Sequence, residues 1–406
     1  MDKKKIILSD ANNFFASCEQ MINPDIKNKP VCVLSNNDGC VIARSQEAKK
    51  LGITMGMPYF MAKKSFPDAI YLSANFSLYH EISIRMMNIL KNYSNKLDIY
   101  SIDEAFLDIT GCDKLFKTTY DELIKIIKQD IEKSIGITVS IGMSSSKILA
   151  KLANHKAKKG TGTYSIEDKL INYELSNIPV DEIWGVGKNI ARTLRKYGIF
   201  YADEILLKDD NFYKKILGKK GLELKYELAG ISVIPVTGIE EKPKSIQKTR
   251  AFPAFSKEKD YIKTELNIHL NNVCKKLRNY NLKAEAITVM LRTKDFRVFT
   301  NGAKLKIPTN SELMLLNKVY ELFNEIFCEG TIYRSSGVYV SDLSEAEELQ
   351  MSLFDNKEDN KREKISSVID KIENKFGKGI LSVGQTGIKG IISKHTRPLR
   401  SIPFDF

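Results

Sequence analysis

The chain is short of the residues that staple or anchor a protein. It has only four histidines, and its six cysteines include no Cys-x-x-Cys pair. That argues against a zinc centre or a disulfide framework and for a reducing cytoplasm. No apolar run approaches the ~18 residues of a membrane span. The opening Met1-Asp2-Lys3-Lys4-Lys5 is basic, but the run behind it, Ile6-Ile7-Leu8, is too short for a secretory signal. No internal repeat is present. Acidic residues are outnumbered, with 50 Asp and Glu against 63 Lys and Arg, leaving a net charge of +13. Such an excess calls for a polyanionic partner, nucleic acid first and a membrane surface second.

What remains is the composition of an ordinary globular protein, 43% hydrophobic and 28% charged. At roughly 150 residues per domain, 406 residues make two to four domains, each able to bury its own core.

Lys5-Ile6-Ile7-Leu8-Ser9 reads as a buried strand ending in Asp10, with a helix from Asn12 or Asn13 through Met21. Lys29–Ser35 and Cys40–Arg44 are strand-like runs joined by the turn signal Asn37-Asp38-Gly39, which predicts a hairpin. Residues 73–95 read as helix, and Ile137–Gly142 as a strand between two helices. The first ~170 residues are therefore α+β, with an insert at 20–72. Residues 170–240 turn mostly helical. Beyond 245 the pattern is βαββαβ, with strands at 246–252, 284–293, 297–307 and 333–341 and helices at 258–279 and 311–327. Residues 342–363 read as a charged linker, followed by a helix at 363–376.

Two adjacent carboxylates, Asp103 and Glu104, interrupt the apolar alternation Ile99, Ile102, Ala105, Leu107, Ile109. Acids within a half-buried strand are costly unless something compensates them, and hard divalent cations want oxygen ligands. If this strand neighbours the first, Asp10 joins the pair. Three carboxylates a few ångströms apart need cations, and two ions about 4 Å apart suit in-line displacement at phosphorus. The plainer alternatives are a hairpin with its acids at a solvated turn, or three unrelated surface acids.

Three segments give a more specific signal. Asp10 with Asn13–Glu19, then Asn36–Arg44, then Tyr100–Asp108, in this order, resemble the Y-family DNA polymerases, in particular their UmuC-like branch. The likeness covers nearly the whole chain. It implies a multidomain α+β right-hand polymerase. A ferredoxin-like palm would occupy 1–19 and 73–168, fingers 20–72, a helix-hairpin-helix thumb 169–240 and a βαββαβ little finger 245–342. A linker with a clamp-binding peptide (343–362) and a C-terminal tail (363–406) would follow. The implied activity is template-directed translesion synthesis in the SOS response to DNA damage. Asp10, Asp103, Glu104 and the Ala11 carbonyl would hold two magnesium ions, with manganese able to substitute.

The same likeness assigns nucleotide contacts to Phe14, Phe15, Gln46, Lys49 and Lys158. Phe15 stands at the family's steric gate, where many relatives have Tyr. Gln46 and Lys49 stand where relatives often carry Tyr and Arg, and Lys offers a point charge instead of a fork. Gly185, Gly187 and Lys188 resemble a helix-hairpin-helix turn that meets DNA phosphate. Basic stretches around Arg292, Lys294, Lys304 and Lys306 fit a salt-sensitive grip on duplex backbone. Gln350, Leu353 and Phe354 resemble the peptide that binds the sliding clamp. The implied partners are primer-template DNA, deoxynucleoside triphosphates, the clamp, and UmuD′-like subunits with a RecA filament, without a membrane. A nucleotidyl cyclase with a related palm and an inactive DNA-binding scaffold are the rival readings.

Overall fold

The computed structural model describes residues 3–35, 37–239, 242–346 and 357–376. The chain divides after Glu240 into two units.

The first unit begins with β1 (Ile6–Ala11), α1 (Phe14–Ile22), β2 (Val31–Leu34), β3 (Val41–Arg44), α2 (Gln46–Lys50), α3 (Tyr59–Ser65), β4 (Ile70–Ser73) and α4 (Phe76–Lys91). It continues with β5 (Leu97–Ile99), β6 (Glu104–Asp108), α5 (Cys112–Phe116), α6 (Tyr120–Ile135), β7 (Val139–Ser144), α7 (Lys147–Ala157) and β8 (Thr163–Ser165). Four helices close it: α8 (Ile171–Leu175), α9 (Lys188–Lys196), α10 (Asp210–Leu217) and α11 (Lys219–Leu228).

The central sheet has the order β5-β6-β1-β7-β8. Its middle strand is buried throughout, and alternation sorts its side chains to two faces. Ile7 packs with Tyr79, Ile82 and Met86 of α4 and with Leu123, Ile127 and Ile131 of α6. Ile6 and Leu8 point the other way, into a cluster with Phe106 and Ala150 of α7. The α6 helix follows from its pattern: Leu123, Ile124, Ile127, Ile131 and Ile135 form one apolar stripe. Thr119 caps its start, accepting from Glu122 N–H, and Gly136 ends it at φ 83°.

On the opposite face α7 lies directly on β7. Gly142 makes this possible, since a Cβ there would stand 2.0 Å from the Asn154 nitrogen and 2.4 Å from the Ala150 oxygen. The Asn154 amide donates to the carbonyls of Leu8 and Ser140 and so pins the helix across two strands.

The hairpin expected around Asn37-Asp38-Gly39 is present, with β2 antiparallel to β3 and parallel to β4 in a small sheet. After α11, residues 231–239 return to the sheet. Glu227 accepts from the N–H groups of Val233 and Ile234, and Asp98 from those of Thr237 and Gly238. Lys147 links Asp98 to the Pro235 carbonyl.

The second unit comprises β9 (Ser245–Ser256), α12 (Lys259–Asn279), β10 (Leu282–Thr293), β11 (Val298–Thr309), α13 (Glu312–Ile326), β12 (Tyr333–Glu345) and α14 (Lys357–Phe376). Its sheet order is β11-β10-β12-β9, all antiparallel. Leu266, Leu270 and Val273 of α12 and Leu315, Val319 and Leu322 of α13 share one core with Val289, Leu291, Val338 and Val340. Arg278 joins α12 to Glu312 and to Asp370 of α14.

Two sequence expectations are corrected. The run 99–109 is not one strand but the β5–β6 hairpin, because Tyr100 and Ser101 N–H both turn back to the Glu104 carbonyl. The stretch 342–363 is not all linker, since β12 reaches Glu345 and α14 starts at Lys357. Gln350, Leu353 and Phe354 lie outside the described residues.

Candidate active site

Antiparallel pairing sets Asp10 on β1 directly opposite Glu104 on β6. Both share the face of Leu8 and Phe106, so both look toward α7. The helix answers with a stripe of lysines at i, i+4 and i+11, each on a different acid. Lys147 meets Asp98 at 2.6 Å, Lys151 meets Glu104 at 2.8 Å and Lys158, just past the last turn, meets Asp10 at 2.6 Å. The spacing keeps all three on one side of the helix.

Asp10 is only 5% exposed. Burial, then the hydrogen bond it shares with Glu104, push its carboxyl up to about 7 in spite of the Lys158 ammonium. Burial also pushes Glu104 up, but the hydrogen bond from Asp10 and the Lys151 ammonium outweigh it, leaving Glu104 below its ordinary value. The pair thus shares a proton, with burial raising Asp10 and the Lys151 ammonium favouring ionised Glu104.

Asp103 sits in the hairpin turn, where its carbonyl accepts from Ala11 N–H at 2.9 Å. Its carboxylate accepts from the Ser101 hydroxyl at 2.5 Å. Among the described residues no three His, Cys, Asp or Glu side chains form a group able to hold a metal ion. The Ser101 hydroxyl occupies one Asp103 oxygen, Oδ1. The donors nonetheless fit a hard divalent cation. They are all oxygens, and a shared proton and two ammonium groups supply the positive charge that the buried acids demand.

Asp10, Ala11 and Asp103 border a cavity of about 300 Å³ together with Asn13, Phe14, Phe15, Arg44, Lys49 and Lys158. Phe14 is buried in the core. Phe15, one step further into α1, stacks on Tyr79 at 4.4 Å and meets Phe76 edge-on at 5.8 Å. Its ring is thereby fixed at the cavity wall. Burial, then the charges of Arg44 and Lys158, hold the Lys49 ammonium below its usual pKa. Three cations thus converge where an anion would relieve them. Gln46, exposed at the start of α2, is not among the lining residues. Arg44, Met55 and Lys151 were not singled out from the sequence. Arg44 belongs to the Cys40–Arg44 run, and Lys151 precedes Lys158 by two helical turns, so both carried a usable signal.

A second cavity, of about 600 Å³, is bordered by Asp10 and Glu104. Lys151, His155, Lys158, Lys159 and Trp184 are among its lining residues. Beyond it, Gly185 adopts φ 89° and Gly187 precedes the first residue of α9, Lys188. Lys188, Arg192, Arg195 and Lys196 form a basic hollow with Asp181, which pairs with Arg195.

Residues 9–155 match the impB/mucB/samB family, and residues 243–353 match the C-terminal domain of that family. The chain is 33% identical to Protein SamB of Salmonella typhimurium over 94% of its own length and 93% of that protein. It is 31% identical to Protein UmuC of the same organism, over 94% and 93%, and 30% identical to DNA polymerase IV 1 of Bacillus subtilis, over 95% and 94%. Among solved structures, a Y-family DNA polymerase chimera superposes with a TM-score of 0.69 at 30% identity, covering 84% of this chain and 99% of the other. An insertion ternary complex of Dbh DNA polymerase gives 0.58, also at 30% identity, covering 84% and 99%.

Proposed function

Because the chain belongs to the impB/mucB/samB family, whose solved neighbours are Y-family DNA polymerases, we propose that it is a DNA-directed DNA polymerase performing translesion synthesis. The observation that supports this best is one cavity bordered both by the acids Asp10 and Asp103 and by the cations Arg44, Lys49 and Lys158, with Phe15 at its wall. Acids for cations and cations for phosphates, side by side, are what nucleotidyl transfer requires.

In this reading residues 1–19 and 73–168 are the palm, 20–72 the fingers, 169–240 the thumb and 245–342 the little finger. Asp10, Asp103, Glu104 and the Ala11 carbonyl would hold two magnesium ions. When bound, these ions favour ionisation of the primer 3′-hydroxyl and neutralise charge on the departing pyrophosphate. Lys158, Lys49 and Arg44 seat the triphosphate, and Phe15 closes the space that a ribose 2′-hydroxyl would need. Gly187 and Lys188 meet a DNA phosphate at the start of α9. A protein working on DNA in this way belongs in the cytoplasm.

The test is primer extension with magnesium and the four deoxynucleoside triphosphates. The protein should extend a primer and Asp103→Ala should not; equal extension by both overturns the site assignment. For Gln350, Leu353 and Phe354 we propose sliding-clamp binding. Deleting 350–354 should abolish stimulation by the clamp while basal synthesis persists, and equal loss of both would contradict it. Similarity to Protein UmuC extends the reading to UmuD′-like subunits and a RecA filament, which copurification with each can check.

A further inference from the structure

Lys151 is held in an unusual way. Its ammonium reaches both oxygens of Glu104, at 3.0 and 2.8 Å. The same ammonium lies 4.7 Å from the centre of the Tyr100 ring and 5.9 Å from that of Trp184. The two rings are edge to face at 5.4 Å, locked by a 3.0 Å hydrogen bond from the indole N–H to the Tyr100 hydroxyl. Phe106, buried in β6, backs both of them at 5.9 and 5.4 Å. One cation thus sits between a carboxylate and a rigid pair of aromatic faces, and either can hold it.

A carboxylate with both oxygens on an ammonium has little left for a divalent ion. A bound ion and Lys151 compete for Glu104, and they repel each other across a few ångströms. We propose that Lys151 is an exchangeable counter-ion. It occupies Glu104 in the metal-free protein and withdraws onto the faces of Tyr100 and Trp184 when a divalent cation takes the carboxylate. The aromatic pair keeps the displaced charge inside the cavity beside Asp10 instead of releasing it to solvent. Lys158 differs, because no ring lies near it to receive its ammonium among the cation–ring contacts of the described residues. The inference rests on the two-metal reading above, and its test separates the two.

Manganese affinity of the full chain is measured from the electron paramagnetic resonance signal of the free ion. The proposal expects Lys151→Gln to bind manganese about tenfold more tightly than the wild type, because a competing charge is gone. The charge-retaining Lys151→Arg should stay near the wild-type value. If Lys151 merely props Glu104 in place, Lys151→Gln binds more weakly; that result, or no change, overturns the proposal. A second measurement needs no variant. Trp184 is the only tryptophan in the chain, so its emission reports on the cage alone. Magnesium should shift that emission, and a constant spectrum at saturating magnesium overturns the exchange. Failure of the wild type to bind manganese more tightly than Asp10→Asn would instead remove the metal reading itself, and the proposal with it.

Discussion

The Lys158 ammonium and the Asp10 carboxylate are 2.6 Å apart although 148 positions separate them in the chain. The contact closes a loop from the first strand to the end of α7, and Asp10 keeps its proton to about 7 in spite of it. A raised carboxyl pKa means that the folded protein binds a proton the unfolded chain has already lost.

The sign of the pH effect follows. Between about 4 and 7 the folded form holds more protons at Asp10 than the unfolded form, so this group lowers stability as pH rises through that window. Asp10→Asn should remove the loss. Metal-free Asp10→Asn should therefore melt a few degrees above the wild type at pH 8, with the gap closing toward pH 4. Magnesium should raise the melting temperature of the wild type and not of the variant, and polymerase activity should fall on the order of a thousandfold. Calorimetry across pH, with and without the ion, checks all three.

Phe15 is fixed by Tyr79 and Phe76, so its truncation opens space at the cavity wall that neighbours do not fill. Phe15→Ala should raise incorporation of ribonucleotides relative to deoxynucleotides by roughly tenfold or more. Single-nucleotide insertion kinetics with paired substrates measure the ratio. An unchanged ratio with DNA synthesis intact would remove the gate assignment.

Gly142 carries the contact between α7 and the sheet. Its substitution by alanine drives a methyl group into the helix backbone, which no rotamer change relieves. Gly142→Ala should cost about 3 kcal/mol or more, read by chemical denaturation, and should shift the α7 lysines relative to their acids.

Gly187 offers a cleaner separation of folding from binding. Its φ is an ordinary −81°, and an added Cβ meets nothing within 4 Å. Gly187→Ala should fold as well as the wild type. If this turn meets a DNA phosphate, the variant binds duplex more weakly, and Lys188→Ala lowers the salt slope of binding by about one. Fluorescence anisotropy over a salt series gives both numbers.

Much of this arrangement was legible from local pattern. A buried apolar strand ending in Asp10, the hairpin around Gly39 and the βαββαβ order each follow from periodicity and turn chemistry within a few residues. The β5–β6 hairpin was present only as one of the plainer alternatives. Ile99, Ile102, Ala105 and Leu107 continue an apolar rhythm straight through the turn, and only hydrogen bonds to the Glu104 carbonyl reveal it. Gln46 and Lys49 look equivalent in sequence, yet only Lys49 borders the cavity with Asp10 and Asp103. The partnership of Lys151 with Tyr100 and Trp184 joins three segments distant along the chain. Nothing in the neighbours of any one of them announces the other two.

The anchoring of residues 231–239 has a consequence for how such chains can be recombined. Glu227 and Asp98 grip the backbone up to Gly238, and the Ile239 side chain stands 73% exposed. A splice after Ile239 leaves every one of those hydrogen bonds intact. Residues 231–239 are thus fastened to the first unit by that unit's own side chains, upstream of the point where the chain passes into the second.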